Sequence, residues 1–379
     1  MSRFGYSEEH DQFRRTVRAF FDKELEPHYR AYAAKGGLDK TFWKKAGSAG
    51  LLGMCIPESL GGAGGEFTFN VILAEELGAS AGSAWTGSSI MADLATYILM
   101  GFGTDQQKAK YASGILSGDI SQAMPLTEPD AGSDATAIKT TAVREGGQWV
   151  INGEKYFISN GTNADVLYVV AKTDPTKRGA GMSIIIVDAN TPGVTRHKIP
   201  MIGWTYGDTG ALSFKDVRVP AENLLGQEGH AMKILMSTFL EDRLQIAGRS
   251  IGAADLALRL TVDYVKTRKV SGQRVADFQN TQFVLAEVRT DVEVGRVFLD
   301  RSLVKAREGK FTFQDGAMLK LWTTEMEDRV VDKCAQMFGG AGLMQDTPIA
   351  QMMGAARIQR VYAGTSEVQK VAIAKALFA

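Results

Sequence analysis

The chain has 379 residues, 45% hydrophobic and 23% charged, enough for two or three packed units each with its own core. Lysine plus arginine equal aspartate plus glutamate at 43 each, so nothing marks a nucleic-acid or anionic-membrane binder, and small molecules or other proteins are the expected partners. Two cysteines, Cys55 and Cys334, far apart in apolar settings, argue against a disulfide framework or thiolate metal site and for a reducing compartment.

The opening MSRFGYSEEHDQFRR lacks the apolar stretch of a signal peptide, and no apolar run approaches the roughly 18 residues of a membrane span, so a cytoplasmic location is expected. From Glu8 to about Gly118 apolar residues recur at helical spacing, as in Phe13, Val17, Phe20, Phe21 and Leu25, or Val71, Leu73, Ala74 and Leu77. Residues 1–118 are therefore expected to form an N-terminal helical domain. Over 119–227 the period shortens into strands, WVINGEKYFI, VLYVVAK, MSIIIVD and ALSFKDVRV, each bounded by Gly, Pro, Asn or Asp, which predicts an antiparallel β domain. Amphipathic stretches return over 228–379, punctuated at GKFT (309–312) and GGAG (339–342). The predicted class is α+β, mainly α, in the order helix, sheet, helix.

Several motifs fail on context. GxSxG occurs as GASAG at 78–82 and GRSIG at 248–252, but both lie within or just after helical patterns, whereas a nucleophile elbow follows a strand. No GxGxxG, Walker A or HExxH string occurs, and the four histidines are scattered, so P-loop and metal chemistry are not expected. The NGT at 160–162 reads as a turn. What remains is LTEPDAGSD at 126–134, a turn rich in backbone N–H groups, followed by INGEKYFISNG at 151–161, where Phe157 and Ser159 could meet a flat polar ring. That pairing suits a dinucleotide cofactor held without a Rossmann motif.

Six segments in order resemble the acyl-CoA dehydrogenase family: WKKAGSAGLLGMCIPESLGGAGG (43–65), MPLTEPDAGSD (124–134), INGEKYFISNG (151–161), FKDVRVP (214–220), FGGAGL (338–343) and ARIQRVYAGTSEVQ (356–369). The resemblance implies an N-terminal helical domain, a middle β-barrel and a C-terminal four-helix bundle, assembled as a homotetramer (dimer of dimers). It also implies FAD, an acyl-CoA substrate and an electron-transfer flavoprotein as redox partner. By that likeness Met124, Leu126, Thr127 and Ser133 lie along the cofactor, and Phe157 and Ser159 pack on and hydrogen-bond toward its ring. Phe157 stands where many members carry tryptophan, which keeps stacking and loses an indole N–H. Arg268, Gln279, Gln336, Gly339 and Gly340 would serve a neighbouring subunit's FAD, with Thr365 and Glu367 from the last loop. Arg268 suits a pyrophosphate because its fork binds two oxygens. Ser271 replaces a common phenylalanine.

Thioester desaturation needs a base for the α-proton while the flavin accepts a β-hydride. In many members the base is a glutamate in IYEGT; here the motif reads VYAGT, with Ala363 in its place. The backbone N–H of Ala363 retains the oxyanion role implied there, beside Gly364. Other members carry the glutamate immediately before an arginine on the first helix of the C-terminal domain. Here that residue is Asp242, followed by Arg243 in STFLEDRLQIAG. Asp242 is therefore the expected base, with Glu241 as the neighbouring candidate. Arg243 matches a CoA contact, and Ser133 and Gly364 are further substrate contacts. Trp85, in EELGASAGSAW, is bulky enough to shorten the acyl pocket and favours a short, branched or ring-bearing group, whereas IGWTYGDTGALSF (202–214) resembles a loop of long-chain members. The departures at Ala363 and Asp242 leave as alternatives a flavin monooxygenase, an enoyl-thioester reductase, a carrier-protein substrate, or a non-catalytic partner subunit of a mixed oligomer.

Overall fold

The computed structural model describes residues 3–35, 37–88, 90 and 94–378. Among the described residues seven α-helices precede the sheet: α1 Glu8–Glu24, α2 Tyr29–Ala34, α3 Lys40–Ser48, α4 Thr68–Gly78, α5 Ser83–Thr86, α6 Leu94–Phe102 and α7 Asp105–Ser117. Local chemistry fixes their ends. Ser7 and His10 form a capping box at the start of α1, whose first turn carries Glu8, Glu9 and Asp11 where the helix dipole favours negative charge. Thr104 and Gln107 do the same for α7, which stops at Gly118 in the left-handed region, φ +76°. α1 buries Val17, Phe20 and Phe21, while α4 is buried over nearly its whole length.

The strands are β1 Gln122–Ala123, β2 Thr141–Glu145, β3 Gln148–Ser159, β4 Val166–Lys172, β5 Met182–Asp188, β6 Val194–Lys198, β7 Thr209–Pro220 and β8 Leu224–Leu225. They form one sheet in the order β6-β7-β3-β2-β4-β5-β8, with β1 beside β4. Most pairs are antiparallel, but β1–β4 and β2–β4 are parallel. The expected closed barrel is not what the ladders show: among the described residues no pairing joins β6 to β8, and only Thr141 with Lys172 links β2 to β4. The sheet folds over instead. Leu167, Val169, Ile185 and Val187 pack against Trp149, Ile151, Leu212 and Phe214 in one cluster, while Tyr168, Val170, Ile184 and Ile186 face a second cluster shared with α6 and α7. Both faces of β4 and β5 are buried, so these strands read as continuous apolar runs.

The C-terminal part holds α8 Ala231–Thr267, a two-strand hairpin (β9 Lys269–Val270, β10 Gln273–Arg274), α9 Gln279–Arg307, α10 Phe313–Phe338, α11 Pro348–Gln359 and α12 Ser366–Leu377. α10 packs against α8, α9, α11 and α12. The two GxSxG strings find their purpose here. A Cβ at Gly252 would lie 2.0 Å from the Glu75 carbonyl and one at Gly78 2.1 Å from that of Arg249, so these glycines let α4 and α8 touch backbone to backbone. Arg3 clamps the N-terminus onto this contact, reaching Glu75 of α4 at 2.6 Å and Asp300 of α9 at 2.8 Å. Among the described residues no helix is long and apolar enough to cross a membrane, and no cluster of potential metal ligands occurs.

Candidate active site

The segment 124–131 is bolted to β3 by a buried ion pair. Lys155 is fully buried, with Nζ 2.8 Å from Glu128 Oε1 and 2.9 Å from the Leu126 carbonyl. Burial pushes the Lys155 ammonium down to about 8, against the pull of Glu128. Burial alone would raise the Glu128 carboxyl, but Lys155, Thr140 and the Lys139 amide hold it below its usual range. Glu128 and Ala131 also close a tight turn through reciprocal N–H to carbonyl bonds. The Tyr156 amide donates to the Thr127 carbonyl at 2.8 Å, exactly where the β3–β7 register slips between Lys155 and Ile158. At this bulge Phe157 takes φ +59°, a conformation rare for an aromatic residue, and stands 55% exposed, with Ser159 exposed beyond it. A strained, solvent-facing aromatic beside a polar backbone loop is a shelf for a flat ring. Met124, Leu126 and Thr127 are half-buried along its edge, and Ser133 is exposed on the turn.

A second group of expected cofactor residues lies on the outer surface of the C-terminal helices. Tyr264 near the end of α8 stacks on Phe338 at the end of α10, ring centroids 4.2 Å apart. This brings exposed Arg268 near exposed Gln336, Gly339 and Gly340; nothing lies within 4 Å of a Cβ built at either glycine. Gln279 is exposed at the start of α9, and Thr365 caps α12 by accepting from the Val368 amide, with Glu367 exposed in the first turn.

Asp242 and Glu241 sit in the first third of α8 and are not a solvated acidic face. Asp242 opens only partly to solvent, and enough protein crowds its carboxyl that burial lifts its pKa to about 6; Lys320 and Arg243 pull the other way, and Glu241 adds to the lift. Desolvation therefore outweighs Arg243. Glu241 is raised as well, by burial, and its Oε2 is enclosed without a hydrogen-bond partner. Arg243 is 4% exposed and forms no surface ion pair: its guanidinium lies 4.0 Å from the Phe313 ring centroid, with Nε and Nη1 buried and unpartnered. Burial lowers its pKa, against Asp242.

The cation facing Asp242 is Lys320 of α10, which the motif reading had missed. It is fully buried, and its Nζ donates to the carbonyls of Tyr362, 2.8 Å, and Gly364, 2.7 Å. Burial brings its ammonium down to about 8, although Asp242 opposes the drop. Gln369 adds a bond to the Gly364 carbonyl at 2.9 Å. These anchors hold Ala363 at φ +50°, in the left-handed region that a non-glycine residue occupies at a cost of about 1–2 kcal/mol. With the neighbouring carbonyls committed inward, the loop is rigid around an exposed Ala363. The sequence signal for Lys320 was a lysine inside the apolar stretch MLKLW; for Lys155 it was a lysine in the core-facing phase of a strand with Trp149 and Ile151. Trp85, expected at the pocket floor, is buried and stacked on Tyr29 at 4.5 Å.

The three-part architecture defines the class. Family models for the N-terminal, middle and C-terminal domains of acyl-CoA dehydrogenases match residues 7–119, 123–217 and 229–378 in turn. The chain belongs to the acyl-CoA dehydrogenase family. It is 36% identical to the long-chain specific acyl-CoA dehydrogenase of Mus musculus mitochondria, covering 98% of this chain and 86% of that one. The crystal structure of an acyl-CoA dehydrogenase from Geobacillus kaustophilus superimposes with a TM-score of 0.93 at 38% identity, covering 98% of each chain. A glutaryl-CoA dehydrogenase from Mycobacterium smegmatis in complex with FADH2 superimposes at 0.90 with 28% identity, covering 98% of this chain and 95% of its own.

Proposed function

We propose that this chain is an FAD-dependent acyl-CoA dehydrogenase in which Asp242 removes the α-proton of the thioester. The observation that carries the reading is the Asp242 carboxyl: partly open to solvent, raised to about 6, and facing a lysine that anchors the Ala363 loop. A base with that pKa is ionised at neutral pH yet basic enough to accept a proton in a desolvated site. The Ala363 and Gly364 amides, on a loop fixed by Lys320 and Gln369, would polarise the thioester carbonyl as charge develops on it. The unpartnered Nε and Nη1 of Arg243 would take an anionic or carbonyl oxygen of the CoA arm.

The residues fit FAD. Phe157 and Ser159 offer a stacking face and a hydroxyl, Met124, Leu126, Thr127 and Ser133 flank them, and Arg268, Gln279, Gln336, Gly339, Gly340, Thr365 and Glu367 would complete a neighbouring subunit's site in a homotetramer. When bound, FAD supplies the hydride acceptor opposite the base. An electron-transfer flavoprotein would then accept the electrons, and the reading places the enzyme in the cytoplasm. Trp85 favours a short, branched or ring-bearing acyl group, against the long-chain likeness of the loop at 202–214.

The test is anaerobic addition of saturated acyl-CoAs, short, long, branched and aromatic, to the purified yellow protein. Bleaching of the flavin by one group is the expected result. Bound flavin that no acyl-CoA bleaches would sink the dehydrogenase reading in favour of a monooxygenase, a reductase or a carrier-protein substrate.

A further inference from the structure

Two turns beyond Asp242 on α8 lies Arg249, only 1% exposed, with Nε and Nη1 buried and unpartnered. Its guanidinium stands 5.0 Å from the Trp204 ring, and Trp204 meets Tyr362 edge to face at 5.7 Å. Trp204 Nε1 and Tyr362 Oη are also buried without a partner, while Glu327 is engaged by the Ser250 hydroxyl. Glu327 is not in ion-pair contact with Arg249; burial raises its carboxyl to about 7 even though Arg249 opposes the rise. Arg249 and Glu327, with Ser80, Ser83 and Met352, line a void of about 10 Å³ between α5, α8, α10 and α11.

Such a void has room for about one water, which makes at most about four hydrogen bonds. The unpartnered atoms around Arg249 are unbalanced: Arg249 Nε and Nη1 and Trp204 Nε1 only donate and the Tyr362 hydroxyl can, whereas one water accepts about two hydrogen bonds and Glu327 already receives the Ser250 hydroxyl. Acceptors are in short supply. A buried donor left unpaired loses its hydration with nothing in return, so the cluster gains most from a ligand oxygen.

The cluster also lies in line with the chemistry. Seven helical residues separate Asp242 from Arg249 by about 10 Å along nearly one face, and helical side chains lean toward the N-terminus, which tips Arg249 back toward Asp242. Tyr362 feels the charges of both Asp242 and Arg249. Tyr362 precedes Ala363 in the loop that Lys320 anchors, and its ring meets Trp204, so a chain of contacts runs from that loop to Arg249.

We propose that Arg249, Trp204 and Tyr362 form a polar floor to the acyl pocket, and that the preferred substrate carries an acceptor oxygen, carboxylate or carbonyl, at the far end of its acyl group. The stem between the thioester and that oxygen is at most about eight bonds, from the helical spacing of about 10 Å and an advance of about 1.2 Å per bond of an extended chain. This inference rests on the dehydrogenase reading and adds a substrate class to it.

The experiment compares kcat/KM for flavin reduction by FAD-loaded wild-type enzyme with three acyl-CoAs of equal length ending in a methyl, a ketone or a carboxylate. A site built around donors rejects an analogue lacking the acceptor strongly, so at least one oxygenated substrate should exceed the methyl-ended one by about 100-fold or more. The ketone and carboxylate arms tell a neutral acceptor from an anion. Arg249→Met should bring the preference to within about tenfold by slowing the oxygenated substrate alone. Wild-type enzyme that turns over the methyl-ended substrate as well as or better than both others overturns the polar floor and leaves the dehydrogenase intact, whether or not the variant folds. Bound flavin that none of the three bleaches overturns both.

Discussion

The Asp242 carboxyl carries its charge at a cost to the fold. In an unfolded chain an aspartate titrates near 3.9, and here the folded group titrates at about 6. Between those values the folded state binds more protons, so stability falls as pH rises through that window and the penalty is fully present at neutral pH. Asp242→Asn should therefore raise the unfolding free energy at pH 7.5 by about 1–3 kcal/mol in a denaturant melt, while removing substrate-driven flavin reduction. A destabilised variant would contradict the assignment of burial as the dominant influence. Ala363 supplies the reciprocal test. In the Asp242→Asn background, Ala363→Glu places a carboxylate where other family members carry theirs, on a loop that Lys320 and Gln369 already hold at φ +50°. Reduction should return, within about 100-fold of wild type given the sensitivity to a misplacement of roughly 1 Å; no recovery would mean that the Ala363 loop does not face the thioester.

At the scale of elements, the cofactor shelf depends on β3 keeping its grip on the 124–128 segment. Lys155→Met leaves Glu128 buried without its cation, a loss of about 3–5 kcal/mol. The variant should lose FAD on gel filtration before its helices melt, and retention of FAD at wild-type affinity would show that the Lys155–Glu128 pair does not shape the shelf. Part of this was legible beforehand. β3, β4, β5 and β7 announce themselves as apolar or alternating runs, and GKFT at 309–312 marks the break before α10, which Thr312 caps. The short strands β1, β2, β6 and β8 carry too few residues for a period to show. That the sheet folds over rather than closing was not legible either, because it turns on one Thr141–Lys172 pairing and on which faces of β4 and β5 meet which cluster. Asp242 was readable from its place before Arg243; Lys320 was not, since its role arises only when α10 brings it under a loop 42 residues further on.

For the whole molecule, the proposed homotetramer would draw on the surface exposed at the ends of α8 and α10. Arg268, Gln336 and Gly339 point outward, and α9 exposes Phe283, Val294 and Val297. Exposed apolar residues on an element adjoining a polar cofactor half-site are what a subunit interface would cover. Light scattering should give a mass several times the 41.0 kDa of one chain. Arg268→Met should keep that mass and lose FAD on dilution, because it would remove the proposed two-pronged pyrophosphate contact and leave the apolar residues of α9 in place. A 41.0 kDa species that holds FAD tightly would contradict a cofactor site shared between subunits.

The most direct measurement is stopped-flow, anaerobic flavin reduction as a function of pH, comparing wild type with Asp242→Asn on whichever acyl-CoA bleaches the wild-type flavin. The account predicts a wild-type rate that rises through pH of about 6 to a plateau, and a variant reduced by three orders of magnitude or more, on the order of what loss of a general base costs, with that limb gone. A variant that reduces its flavin at the wild-type rate, or keeps the same limb, would place the base elsewhere and contradict the account.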